Sequence, residues 1–167
     1  MATNADPIMI VVADSSALVA LSTCSVLHLL DQIYADVRVP HAVFQEVTIE
    51  GKPQSAELAA FLQGKVVEVK PNQIVRTSIR LGLGELEAML LYKQIGASHL
   101  LIDDQRAKKV AIANNIQTIG TLGILLLAKQ KGLISSIKPL IHILRNSSLH
   151  YNQALLARVI QLADESA

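Results

Sequence analysis

Five short β-rich runs punctuate the chain: IMIVVA at 8–13, ADVRVP at 35–40, KVVEVK at 65–70, HLLI at 99–102 and IQTI at 116–119. Between them lie stretches with apolar residues at helical spacing. This alternation constrains the fold more than any other feature, because parallel strands cannot be joined by hairpins and need helical crossovers. The expected fold is an α/β three-layer sandwich with a central parallel sheet. IMIVVA is apolar throughout, as a strand covered on both faces must be. KVVEVK alternates with charge and is expected nearer an edge.

The helical stretches follow in order. Ser15 or Ser16 can cap a helix that breaks near residues 22–25, and HAVFQEV (41–47) starts a short one. SAELAAFLQ (55–63), a segment around 73–80, Glu85–Ile95, DQRAKKVAIANN (104–115) and GTLGILLLAKQKG (120–132) are read as helices, the last terminated by Gly132. ISSIKPLIHILRN and ALLARVIQLADE each carry an apolar stripe that completes the core or packs a partner. No linker, repeat or low-complexity segment divides the 167 residues. The expectation is one domain over 1–167, with a core at about 8–135 and C-terminal helices at about 136–164.

Hydrophobic residues make up 51% of the chain, enough to bury one substantial core and to exclude disorder. The formal net charge of +1 argues neither for nor against nucleic acid, so any basic surface must be local. Cys24 stands alone in an apolar stretch and reads as a small buried hydrophobe, consistent with a reducing cytoplasm. MATNADPIMIVVAD carries no Lys or Arg before its apolar run, and ILLLA (124–128) is far shorter than the ~20 residues of a spanning helix. A soluble, cytoplasmic protein without membrane contact is expected.

Ligands of parallel α/β sheets bind at the carboxyl ends of the strands. Asp14 directly follows 8–13, and Asp103 and Asp104 directly follow 99–102, so three acids from distant parts of the chain should share one rim. Glu46 lies in the short helix after 35–40, and Glu85 opens its own helix immediately after Gly84. Each has a structural reading. A carboxylate in a first helical turn gains ~0.3–1 kcal/mol from the macrodipole, which accounts for Glu85. Asp104, and Asp14 similarly, read as N-caps. Their joint placement outweighs these readings, since converging carboxylates repel unless a divalent cation neutralises them, and oxygen-only sites suit Mg²⁺ or Mn²⁺.

The motif order VVADSSALVAL, VPHAVFQEV, LGLGELEAMLLYK and LLIDDQRAKKVAIANNIQTIGTLGILLLAK resembles a PIN domain over about residues 8–135. It is most similar to the prokaryotic PIN-like branch related to VapC-type toxins. The resemblance implies a metal-dependent ribonuclease, with Asp14, Glu46, Glu85 and the Asp103–Asp104 pair as the acids of one pocket and as ligands of Mg²⁺ or Mn²⁺. Many family members carry Asp where Glu85 stands. The resemblance also implies an RNA substrate, a toxin role with a small antitoxin partner, and a homodimer. Register against the family favours Asp104 as the metal-side acid, although it is also the better cap, so both remain candidates.

Phosphate contacts need cations. Arg76 and Arg80, one helical turn apart on the expected 73–80 helix, and Arg106, Lys108 and Lys109 after the acid pair are the candidates. Three Tyr, two Phe and no Trp leave little for base stacking. Ser15, Ser16 and Thr121 can donate to carboxylates or phosphate. The histidines have no paired spacing for zinc and are assigned no catalytic role. A receiver domain fails on length, because only 63 residues follow Asp104. A dehalogenase-like phosphatase fails because Ser16 stands where a second Asp is needed. An inactive PIN fold that binds RNA or protein is the remaining alternative.

Overall fold

The structure is a computed structural model that describes residues 7–166. The N-terminal reading rests partly on residues 1–6, which lie outside the described residues. In chain order the elements are β1 (Ile10–Ala13), α1 (Ser15–Thr23), α2 (His28–Ile33), β2 (Asp36–Pro40), α3 (His41–Val47), α4 (Ser55–Leu62) and β3 (Val66–Val67). They continue as α5 (Leu83–Ile95), β4 (His99–Leu101), α6 (Gln105–Ala113), β5 (Thr118–Ile119), α7 (Thr121–Gln130), α8 (Lys138–Arg145) and α9 (Gln153–Leu162).

The five strands pair in the order β3-β2-β1-β4-β5, every pair parallel. From β1 the chain steps outward through β2 to β3, an edge, then crosses back to place β4 on the other side of β1. Strand order reverses between β1 and β4, and ligands of open parallel sheets bind in the crevice above such a switch point. Asp14 is tied to this position: its N–H donates to Leu101 O at 2.9 Å, continuing the Ala13–Leu101 register.

Val11, Val12, Ala13, Leu100, Leu101 and Ile102 are fully buried, as the two apolar runs require. Each fully buried side chain of Val, Leu or Ile size contributes ~1.5–3 kcal/mol. The C-terminal stripes complete the core: Ile141 and Leu144 of α8 and Leu156 and Val159 of α9 join its cluster. Gly132 ends α7 with φ 73°, and the break between α1 and α2 falls at Ser25, itself left-handed at φ 57°. Cys24 is buried, and burial pushes its thiol up to about 11, so it is inert at neutral pH. Among the described residues no helix is long and apolar enough to cross a membrane.

Two local expectations are corrected. The N-cap of α1 falls on Asp14, the other cap reading, rather than on Ser15 or Ser16, and the Asp14 side chain makes no capping hydrogen bond. The segment 73–80 is no helix. Its β-branched Ile74, Val75, Thr77 and Ile79 favour extended backbone, and side chains of the neighbouring helices take up main-chain groups along the strap that contains it. Gln94 accepts from Lys70 N–H at 2.7 Å and donates to Glu68 O at 3.0 Å. Asn114 accepts from Arg76 N–H and donates to Arg76 O, both at 2.8 Å, while Lys93 donates to Ile74 O at 3.1 Å. The strap is thereby stitched across α5 and α6, and Arg76 and Arg80 are not related by a helical turn.

Candidate active site

Four of the five predicted acids surround the switch point. Asp14 leaves β1 only 4% exposed. Its carboxyl is pushed up to about 7: burial is the main cause, the Ser15 amide offsets part of it, and the charges of Glu85, Glu46 and Asp104 raise it further. The helix α3 delivers Glu46, whose Oε2 accepts from Ser15 Oγ at 2.5 Å. Glu85, in the first turn of α5, accepts from Gly82 N–H at 3.2 Å, so its helix-end role is real as well.

Glu46 reaches this position because residue 84 has no side chain. A Cβ there would lie 2.6 Å from Glu46 Oε1 and 3.0 Å from Glu46 Cδ. The glycine therefore gives the carboxylate of one helix its place against the first turn of another.

The two neighbouring aspartates diverge. Asp103 Oδ1 accepts from Thr121 N–H at 2.8 Å, and its Oδ2 accepts from Thr121 Oγ1 at 2.7 Å and from Tyr151 Oη at 2.9 Å. It anchors the start of α7 and the segment before α9. Asp104 Oδ1 caps α6 by accepting from Ala107 N–H at 2.9 Å, and Asp104 is the member of the pair whose charge reaches Asp14. The acids brought together are thus Asp14, Glu46, Glu85 and Asp104, with Asp103 engaged to one side. Thr121 does donate to a carboxylate, as its position before a helix allowed.

The five predicted cations divide between two faces of α6. Arg76 and Arg80 of the strap face Arg106 and Lys109 across a groove of about 500 Å³ whose lining includes Val110, Ala113 and Ile79. Residues 106, 109, 110 and 113 share one helical face at three- and four-residue spacing. Lys108 lies on another side and lines a separate cavity with Asp103 and Asp104.

The family model that matches the chain is that of a PIN domain, over residues 10–165. The chain belongs to the PIN-domain family. No curated protein matches it. A PIN domain is a nuclease fold for handling nucleic acid, generally with divalent metal. In this PIN domain no three His, Cys, Asp or Glu groups among the described residues stand close enough to enclose an ion. The donors nonetheless suit Mg²⁺ or Mn²⁺. All four acids offer oxygen only, the buried Asp14 carboxyl is raised by the charges of the other three, and Mg²⁺ commonly binds through one or two carboxylates while keeping several waters.

Sequence reading missed Gly84 as more than a helix break, Asn114 as the clamp on the Arg76 main chain, and Tyr151 as the partner of Asp103. The paired glycines of LGLGELE were a visible signal for the first. Nothing local marks the other two, because their partners are 38 and 48 residues away.

Proposed function

We propose that this PIN-domain protein is a Mg²⁺- or Mn²⁺-dependent endoribonuclease that hydrolyses RNA phosphodiester bonds. The observation that carries the reading is the buried Asp14 carboxylate facing Glu46, Glu85 and Asp104 at the switch point of the sheet. Glu85 and Asp104 also serve the starts of their helices, but Asp14 is buried with three like charges acting on it, and a divalent cation would offset that repulsion. Asp14 and Asp104 would be its principal protein ligands, with Glu46 and Glu85 completing the set or holding its waters. When bound, the ion supplies a water of lowered pKa and compensates charge on the phosphate oxygens.

The chain's own residues provide position. Ser15 and Gly84 orient Glu46, and the Gly82 N–H orients Glu85. Asp103 holds the rim in place through Thr121 and Tyr151. The groove of Arg76, Arg80, Arg106 and Lys109 begins two residues beyond Asp104 along α6 and offers four positive charges to a phosphate backbone entering the site.

The test is incubation of the purified protein with single-stranded and structured RNAs in Mg²⁺, Mn²⁺ or EDTA. Cleavage that needs the metal is expected. Cleavage that persists in EDTA overturns the mechanism, and RNA binding without cleavage under every condition identifies a binding module. In the cell the reading makes the protein a cytoplasmic toxin restrained by a small antitoxin protein. Its expected assembly is a homodimer, with exposed Ile143 and Leu162 of the C-terminal helices available for contact.

Gly84→Ala separates site geometry from stability. Replacing a helical glycine by alanine gains up to about 1 kcal/mol, and the group displaced is the end of a flexible side chain, so the unfolding midpoint should change little. The shifted Glu46 should cost about tenfold in cleavage, the scale of losing a group that orients a ligand. Denaturant titration beside initial-rate measurement checks both halves.

A further inference from the structure

The start of α6, the start of α7, the segment 149–152 and α9 line an open cavity of about 1260 Å³ that adjoins the acidic rim at Asp104. Its size exceeds the roughly 300–1,000 Å³ of small-ligand sites. Asp104 and Ser16, the latter two residues after Asp14, are part of its lining. Lys108 enters it beside Asp103: a Cβ on Gly120 would lie 3.4 Å from Lys108 Nζ and 3.1 Å from Asp103 Oδ1. Among the described residues that ammonium forms no ion pair. His150 adds an exposed imidazole, and the Tyr151 ring, fixed by its hydroxyl on Asp103, forms part of the wall. Leu155 is 43% exposed on the same wall, an apolar side chain the core does not use.

Resting on the ribonuclease reading, we infer that this cavity is the subsite for an unpaired nucleotide adjacent to the scissile phosphate. Lys108 and His150 take its phosphate, and Tyr151 and Leu155 take its base. Three features point to a nucleotide. A cation that forms no ion pair among the described residues lies beside an apolar and aromatic wall, which matches a phosphate beside a base. Asp103, one of the two carboxylates on the cavity lining, is engaged by three donors. The cavity also shares Asp104 with the acidic rim, so its occupant lies next to the bond being broken. An A-form duplex keeps its bases paired and stacked, so the base entering here must be single-stranded.

The test uses a fluorescein-labelled oligoribonucleotide, single-stranded or annealed to its complement, with the full-length protein in EDTA, followed by cleavage mapping in Mn²⁺. Leu155→Glu, at an exposed position, should weaken single-strand binding about tenfold, the scale of losing one base contact, and leave duplex binding unchanged. Lys108→Met should act likewise. In Mn²⁺, Leu155→Glu should raise KM, hold kcat within about twofold and alter the preferred cleavage positions. Unchanged single-strand affinity and cleavage positions in Leu155→Glu and Lys108→Met, or equal loss on both RNA forms, overturns the subsite. Wild-type protein that binds single strands through this cavity yet cleaves nothing would retain the binding subsite and overturn the ribonuclease reading.

Discussion

Replacing Asp14 by Asn should abolish cleavage and at the same time stabilise the metal-free protein. The Asp14 carboxyl stands at about 7 in the fold against 3.8 when unfolded, so between these values the folded state holds more protons than the unfolded one. Stability then falls as pH rises, from about pH 4 until about pH 7, and is lowest above that. Three pKa steps correspond to about 4 kcal/mol as an upper bound. The substituted amide carries no charge to desolvate, so the metal-free variant should be the more stable at pH 8 and show no advantage at pH 4.

Divalent cation should reverse the ranking. Mn²⁺ or Mg²⁺ that binds only the folded wild type raises its unfolding temperature with concentration, whereas the variant should respond weakly. Cleavage should fall by more than the 10–100-fold typical of losing a ligand-orienting partner. Thermal unfolding at pH 4 and pH 8, with and without metal, reads the stability claims. A variant less stable than wild type at pH 8 would show that Asp14 is held by unrecognised favourable contacts rather than strained by burial and like charge.

The second large effect concerns Glu165, far from the acids. Its side chain is 10% exposed and collects donors from three places. Lys129 Nζ of α7 reaches Oε2 at 2.8 Å, the Ile137 and Lys138 amides at the start of α8 donate at 2.8 and 3.4 Å, and Ser136 Oγ donates as well. Lys129 also donates to Ala163 O just beyond α9. Burial alone would raise the Glu165 carboxyl, but these donors outweigh it and hold it down at about 2.

Because the folded value lies below the ordinary 4.5, the stabilisation is complete above about pH 4.5 and is lost as pH falls toward 2. Glu165→Ala leaves partly buried donors unpaired, which costs about 1–3 kcal/mol, and should loosen α9 first. Faster proteolysis within Gln153–Leu162, and a lowered unfolding midpoint at pH 7 that converges on wild type near pH 2, are the expected results. Glu165→Gln should fall between the two, since it keeps an acceptor but loses the charge paired with Lys129.

The outcome at Asp103 and Asp104 illustrates how far a linear reading reaches. That both end a strand beside Asp14 follows from apolar runs, turn residues and the rule for parallel sheets. Which one faces the other acids depends on where Thr121 and Tyr151 arrive, 18 and 48 residues later. The cations behave similarly: RAKK places Arg106, Lys108 and Lys109 together in sequence, yet about 100° of rotation per residue sends Lys108 to a different cavity.

The strap at 73–80 reads as a helix because its apolar spacing fits one, while its backbone partners are the side chains of Lys93 on α5 and Asn114 just past α6, which no local pattern announces.

Hydrophobic periodicity and the positions of the acids already required a parallel α/β sheet with carboxylates at one edge, since burial of apolar runs and the alternation of strand and helix depend on near neighbours in the chain. The choice among neighbours needed the folded chain. Long-range hydrogen bonds, the room left by Gly84 for Glu46, and the hold of Tyr151 on Asp103 arise between residues brought together by packing, and their energies depend on distances that sequence spacing does not encode.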